Sequence, residues 1–242
     1  MMKHADDSFK QFNKFDSCMK KYFSVLLIFF FAVRVARADL VLEQQLSDTN
    51  QTRTTTLKLH GDKMRMDNQG DAFSVIADLN TRDSFTLLTS NKTYLKRFGS
   101  EIRWEMAEEK KISLGTNDMD QPPAQAVDTG KSETVNGRDA EIFIWSGARG
   151  VTETLWVDRK FPNYDAIRME LARLDRFNDS GPHRNAQPAL SRLPGMVIKS
   201  ESTAKGRTVT NTLVSVKLEP LDAALFEVPT NYSFWKPENK LK

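Results

Sequence analysis

Leu57-Lys58-Leu59-His60-Gly61-Asp62-Lys63-Met64-Arg65-Met66-Asp67 decides the architecture. Leu57 and Leu59 alternate with charge on one side of a His-Gly-Asp turn, and Met64 and Met66 do so on the other. Alternation at a period of two marks a half-buried strand, and two such runs joined by a short glycine-containing turn make a hairpin. Upstream, residues 54–59 are rich in threonine, which suits a strand, and Leu40, Leu42 and Leu46 start the β segment before them. Downstream, Asn68-Gln69-Gly70-Asp71 turns the chain into residues 72–78. Asn80-Thr81-Arg82-Asp83 turns it again into 84–88, and Asn91-Lys92 precedes 93–98. The pattern is an antiparallel meander.

Residues 101–112 (EIRWEMAEEKKI) are rich in helix formers and predict a helix with Trp104 and Met106 partly buried. Residues 115–126, with Pro122-Pro123 and scattered Asn and Asp, predict a loop. Strands then resume at 127–135, turn at Asn136-Gly137 and continue through 138–145 and 152–157. Asn-Gly is the strongest short hairpin signal, because both central positions of the turn need positive φ. Asn163 stands where a helix cap is expected, before residues 164–177, in which Ile167, Leu171, Leu174 and Phe177 form an inward stripe. Residues 178–194 carry three prolines and one glycine and predict another loop. A final hairpin runs through 195–202 and 208–218, and Leu225-Phe226-Glu227-Val228-Pro229 is the last hydrophobic signal, expected as a strand that stops at its proline. The expected fold is mainly β (α+β): a curved sheet or incomplete barrel with two helices against one face.

Ahead of this domain, residues 19–38 (MKKYFSVLLIFFFAVRVARA) have the three parts of a secretory signal in order. Lys20 and Lys21 give the charge, residues 23–33 the apolar stretch, and Ala36-Arg37-Ala38 the small-x-small cleavage site. The apolar stretch has eleven residues, against the roughly 20 of a spanning helix, so removal rather than permanent anchoring is expected. Residues 1–38 are therefore read as a leader, with Met19 offering an ordinary start, and 39–242 as a single exported domain, periplasmic in a bacterial host.

Removing the leader takes away seven basic and three acidic residues, leaving 28 Lys and Arg against 29 Asp and Glu. A near-neutral chain of mixed sign gives no basic stripe for nucleic acid. The only cysteine, Cys18, goes with the leader. The remaining 204 residues must be held by a core rather than by disulfides, and they are enough to form one.

The familiar signatures of catalysis fail on inspection. His60 and His183, read as solvated side chains at a turn and in a loop, have no metal-ligand spacing, and no metal or cofactor is expected. Gly130-Lys131-Ser132 imitates the end of a phosphate loop, but Gln125 stands where the first glycine belongs. Asp128-Thr129-Gly130 imitates the aspartic protease triplet, which requires two carboxylates sharing a proton. No GxSxG elbow is present. Glu108-Glu109 and Asp118 with Asp120 fall on a helix surface and in a loop, where solvation accounts for them.

Five phrases taken in order, LKLHGDKMRMD (57–67), SVIADLNTRDSFTLLTSNKTY (74–94), DTGKSETVNGRDAEIFIW (128–145), LPGMVIKSES (193–202) and FEVPTNY (226–232), resemble a bacterial exported domain of unknown function, similar in fold to the LolA-type carriers and LolB-type receptors of lipoproteins. The resemblance implies an open antiparallel β half-barrel with about two helices packed as a lid over an apolar hollow. It implies a non-enzymatic protein whose partner is a lipid or a lipoprotein acyl chain. No residue here matches the arginine with which LolA carriers lock their lid. Candidate lining residues are Met64, Met66, Phe85, Leu87, Trp145, Trp156 and Met169, with Trp104 on the first helix. Two other functions compete: an envelope protein-binding or sensing module using the same concave sheet, and a hydrolase using Asp128.

Overall fold

The computed structural model describes residues 39–49, 51–70, 73–100, 124–147, 151–179, 188–204 and 207–235, all within the compact unit Asp39–Lys242. The leader, the helix expected at 101–112 with Trp104, and His183 lie outside the described residues. Among the described residues, twelve strands form one open sheet, with a single α-helix against it.

The first meander comprises β1 (Asp39–Ser47), β2 (Thr52–His60), β3 (Lys63–Asn68), β4 (Phe73–Asp78), β5 (Ser84–Leu88) and β6 (Thr93–Arg97). The second comprises β7 (Val127–Val135), β8 (Arg138–Ser146), β9 (Thr152–Asp158), β10 (Met196–Ala204) and β11 (Arg207–Glu219). The two are stitched together where β1 pairs antiparallel with β11, so the order is β6-β5-β4-β3-β2-β1-β11-β10-β9-β8-β7. β12 (Ser233–Phe234) adds a short parallel edge beside β6.

Local chemistry explains the corners. Asn136 and Gly137 have φ of 50° and 76°, both left-handed, which joins β7 to β8 by the turn their residue types favour. Register breaks at Glu43/Gln44 against β11, and at Val197/Lys199 against β9, insert extra residues at the centre of the sheet. Such bulges bend a strand and increase its twist, so the sheet curls. Gly130, at φ 69°, lies within a third break between Asp128 and Ser132, and the triplet that imitated a protease motif is part of that irregularity.

Helix α1 (Tyr164–Asp179) follows Asn163, whose backbone carbonyl accepts the N–H groups of Ala166 and Ile167. Ile167 and Leu171 are buried in one cluster with Leu40, Leu42, Leu59, Leu79 and Met196. Polar ties then fix the helix. Arg173, itself buried beside Glu170 at 3.2 Å, donates to the carbonyl of Gly61 in the β2–β3 turn. Buried Asp175 accepts the backbone N–H groups of Leu190 and Ser191 at 3.1 and 2.8 Å, and the Tyr164 hydroxyl donates toward the carbonyls of Leu190 and Leu193. Burial pushes the Tyr164 phenol up to about 12.

The end of the chain departs from expectation. Ala223–Phe226 is a 3₁₀ turn rather than a strand, capped by the Asp222 carboxylate accepting from Ala224 N–H, and it buries Phe226. His60 is not solvated at a turn: its ring stacks on Phe226 at 5.4 Å, and its Nδ1 lies 2.9 Å from the Asp39 carboxylate. Asp39 also accepts the N–H of Leu221, which ties the final segment to the first strand.

Candidate functional site

Cross-strand register ranks the concave face in rows. Leu218, Leu40, Leu59, Met64 and Ala77 face one another across β11, β1, β2, β3 and β4, and Val216, Leu42, Leu57, Met66 and Val75 form the next row. Both rows are apolar. The third row changes character: Leu213, Gln44, Thr55 and Asn68, with the Thr55 hydroxyl donating to Asn68 Oδ1 at 2.8 Å. Beyond it, Arg53, Leu46, Asn211, Ser200 and Leu155 are neighbours across β2, β1, β11, β10 and β9, and Val209, Ser202 and Glu153 follow.

Helix α1 fills the space over the first row and leaves a cavity of about 560 Å³ over the later ones. Its strand wall includes Leu42, Leu57, Met64, Met66 and Leu155; its roof is Leu171, Leu174 and Phe177 of α1, with Pro188 and Leu190 of the following segment. Its polar lining is Gln44, Thr55, Glu153, Ser200, Ser202 and Asn211. Thr55 and Ser200 are buried, and Asn211 Oδ1 is buried without a hydrogen-bond partner among the described residues. Burial raises the Glu153 carboxyl above its ordinary 4.5, and a hydrogen bond with Ser200 offsets part of that rise. The volume falls within the roughly 300–1,000 Å³ of small-molecule sites, and the mixture of apolar wall and few polar groups is their usual composition.

The residues nominated from sequence divide. Met64 and Met66 line the cavity. Phe85 and Leu87 do not, because Ala77 pairs with Ser84 and Val75 with Thr86, which puts Ser84 and Thr86 on the concave side and turns Phe85 and Leu87 to the other face. There Arg65 reaches the carbonyl of Leu225 at 2.8 Å, Phe85 packs toward Tyr94, and Tyr94 meets Phe234 edge-on. Trp145 is a core residue: it is buried with Phe143, Leu155, Val157 and Leu193, and its indole N–H donates to the carbonyl of Ala124. Trp156 is likewise a core residue outside the cavity lining, buried in the cluster that holds Ile167 and Ile198, with its N–H on the Glu133 carboxylate at 2.9 Å and the Lys199 ammonium over its ring at 4.0 Å. Met169 is 58% exposed, off the stripe of α1. The lining residues absent from the nominated set include the leucines of β1 and β2, the helical stripe itself and the polar group around Asn211. The first two were already visible as alternation and helical spacing.

Asp128 is 43% exposed and its carboxylate lies 3.3 Å from Arg159, which also donates to Glu141 at 2.6 Å. A guanidinium between two exposed carboxylates is the reverse of a buried pair sharing a proton. Among the described residues no group of three or more His, Cys, Asp or Glu is placed to hold a metal ion, and no helix is long and apolar enough to cross a membrane.

None of the curated proteins compared matches the chain. Solved structures similar to it include PNGF-II, at 12% identity and a TM-score of 0.37, with 81% of this chain covered; the chain spans about 30% of that protein's length. An uncharacterized conserved protein from Thermus thermophilus is 7% identical, with 88% of this chain and 98% of that one covered and a TM-score of 0.48. The LolA superfamily protein NE2245 from Nitrosomonas europaea is 9% identical, with coverage of 78% and 89% and a TM-score of 0.30. Residues 40–232 match the domain of unknown function DUF4412, and the chain belongs to that family.

Proposed function

We propose that this is an exported, non-enzymatic binding protein that holds an acyl chain of a lipid or lipoprotein in the cavity between α1 and the sheet. The observation that carries the reading is the cavity itself, walled by leucine and methionine and roofed by the apolar stripe of a helix. Each buried methylene is worth about 0.8 kcal/mol, so about ten would supply roughly 8 kcal/mol, equivalent to micromolar binding before ordering costs. Methionines at 64 and 66 suit such a wall, because an unbranched thioether adapts to ligands of varied shape. The leader supports a periplasmic site of action, where a carried acyl chain needs shelter from water.

Native mass spectrometry on protein purified from its host's envelope tests this. A retained mass matching a lipid or acylated peptide is expected. A ligand-free protein whose cavity is closed by side-chain rearrangement would refute the reading, and co-purification of a protein partner without lipid would favour the sensing function instead.

A further inference from the structure

The polar end of the cavity narrows what its occupant can be. Asn211, Ser200 and Leu155 are cross-strand neighbours on β11, β10 and β9, and Glu153 stands opposite Ser202 in the adjoining row. Four acceptor-bearing side chains, Asn211, Ser200, Ser202 and Glu153, thus gather above an apolar wall. Ser200 makes one hydrogen bond with the Glu153 carboxyl, which keeps further acceptor capacity. Among the described residues, nothing donates a hydrogen bond to the buried Asn211 carbonyl oxygen. A buried acceptor left without a donor costs about 1–3 kcal/mol, so a donor arriving with a ligand recovers that cost. Among the described residues lining the cavity there is no lysine, arginine or histidine. The nearest cation in register is Arg53, opposite Leu46 and two strands from Asn211, and it is not among the lining residues, so a phosphate or carboxylate beside Asn211 would meet the carboxyl of Glu153 rather than a cation of the lining.

We infer that the cavity selects acyl lipids whose head is uncharged and donates a hydrogen bond, a hydroxyl or an amide N–H, with that donor received by Asn211 and Glu153 and the tail lying along Leu42, Leu57 and Met66. The inference rests on the acyl-binding reading above and adds to it the chemistry of the head. Lipids with a charged phosphate or carboxylate head are disfavoured, and an ester head, which accepts but does not donate, leaves Asn211 unanswered.

The test is displacement of the fluorescent probe N-phenyl-1-naphthylamine from the protein by four compounds with the same oleoyl chain: monooleoylglycerol, oleamide, methyl oleate and oleate. Monooleoylglycerol and oleamide should displace the probe at concentrations about tenfold lower than methyl oleate or oleate. Asn211→Leu should remove the advantage of the two donors over methyl oleate. Glu153→Gln, which changes charge but little else, should bring oleate closer to methyl oleate. If oleate or methyl oleate competes as well as the donors, or if Asn211→Leu leaves their ratio unchanged, the head assignment is wrong while acyl binding stands. If the probe itself does not bind, both fall.

Discussion

Two ends of one concave face, under one helix, are built differently. At the first, Leu40 and Leu59 are fully shielded from solvent and meet Ile167 and Leu171 in a filled core. At the second, the rows containing Leu57 and then Gln44, Thr55, Asn211 and Ser200 face a hollow of about 560 Å³. The same strands and the same helix stripe run over both, and the register break at Glu43/Gln44 falls between the second and third rows. Polar side chains such as Gln44, Thr55, Asn211 and Ser200 stand among the leucines of the third and fourth rows, whereas the first two rows are apolar throughout. A protein selected only for stability would fill that space, since empty volume lined by side chains forfeits their dispersion contacts. The filled end anchors the helix; the hollow end is left for something else.

The comparison breaks most visibly under leucine truncation. Leu59→Ala at the filled end should cost about 2–5 kcal/mol in chemical denaturation, the range for a buried leucine in a well-packed site. Leu57→Ala, on the cavity wall, should cost about half as much, because its side chain already faces empty space on one side. Equal losses would erase the distinction. Asp175→Ala should cost about 1–3 kcal/mol, since it strips the acceptors from two backbone N–H groups of the segment roofing the cavity. Its probe binding should weaken in parallel.

Acid and base separate the hollow end from the outer face of the same sheet. Glu153 is protonated more readily in the folded chain than its ordinary 4.5, because burial disfavours its charged form. Its ionisation therefore penalises the fold as pH rises above 4.5, and the full penalty is present above its folded pKa. Glu153→Gln should raise Tm at pH 7.5 and leave it unchanged at pH 4. Asp67 has the opposite sign. Burial pushes its carboxyl up, but hydrogen bonds from Lys58, Arg65 and Ser74 together outweigh that and hold it below 3.8. Its contribution is present above 3.8 and lost as pH falls through the folded value, so Asp67→Asn should reduce Tm at neutral pH and the difference from wild type should shrink in acid. The smallest effect belongs to Met169→Ala, on the solvent side of α1, which should shift stability by no more than about 0.5 kcal/mol.

Much of the scaffold was legible from residues alone. The alternation through 57–67, the Asn136-Gly137 turn and the 167/171/174/177 stripe each encode a local rule, and each appears where that rule puts it. What was not legible is which parity of a strand faces the hollow. Alternation within β5 is plain, but only the pairing of Ala77 with Ser84 shows that Phe85 and Leu87 turn away from Met64 and Met66. Pairing is a tertiary fact, as is the β1–β11 contact joining residues about 170 apart in sequence. Met169 was excludable by helical spacing, since it lies nearly opposite Leu171 on the helix wheel. The polar lining was hidden for another reason. Gln44, Glu153, Ser200 and Asn211 read as an ordinary solvent face, and only a closing helix makes their side interior.

The most direct measurement compares N-phenyl-1-naphthylamine binding by the wild-type chain and by Leu57→Trp, in which the indole occupies the hollow. The account predicts saturable fluorescence enhancement with one site per wild-type chain, and loss of that response in the variant with Tm unchanged or raised. An undiminished response in Leu57→Trp, or none from the wild type, would contradict it.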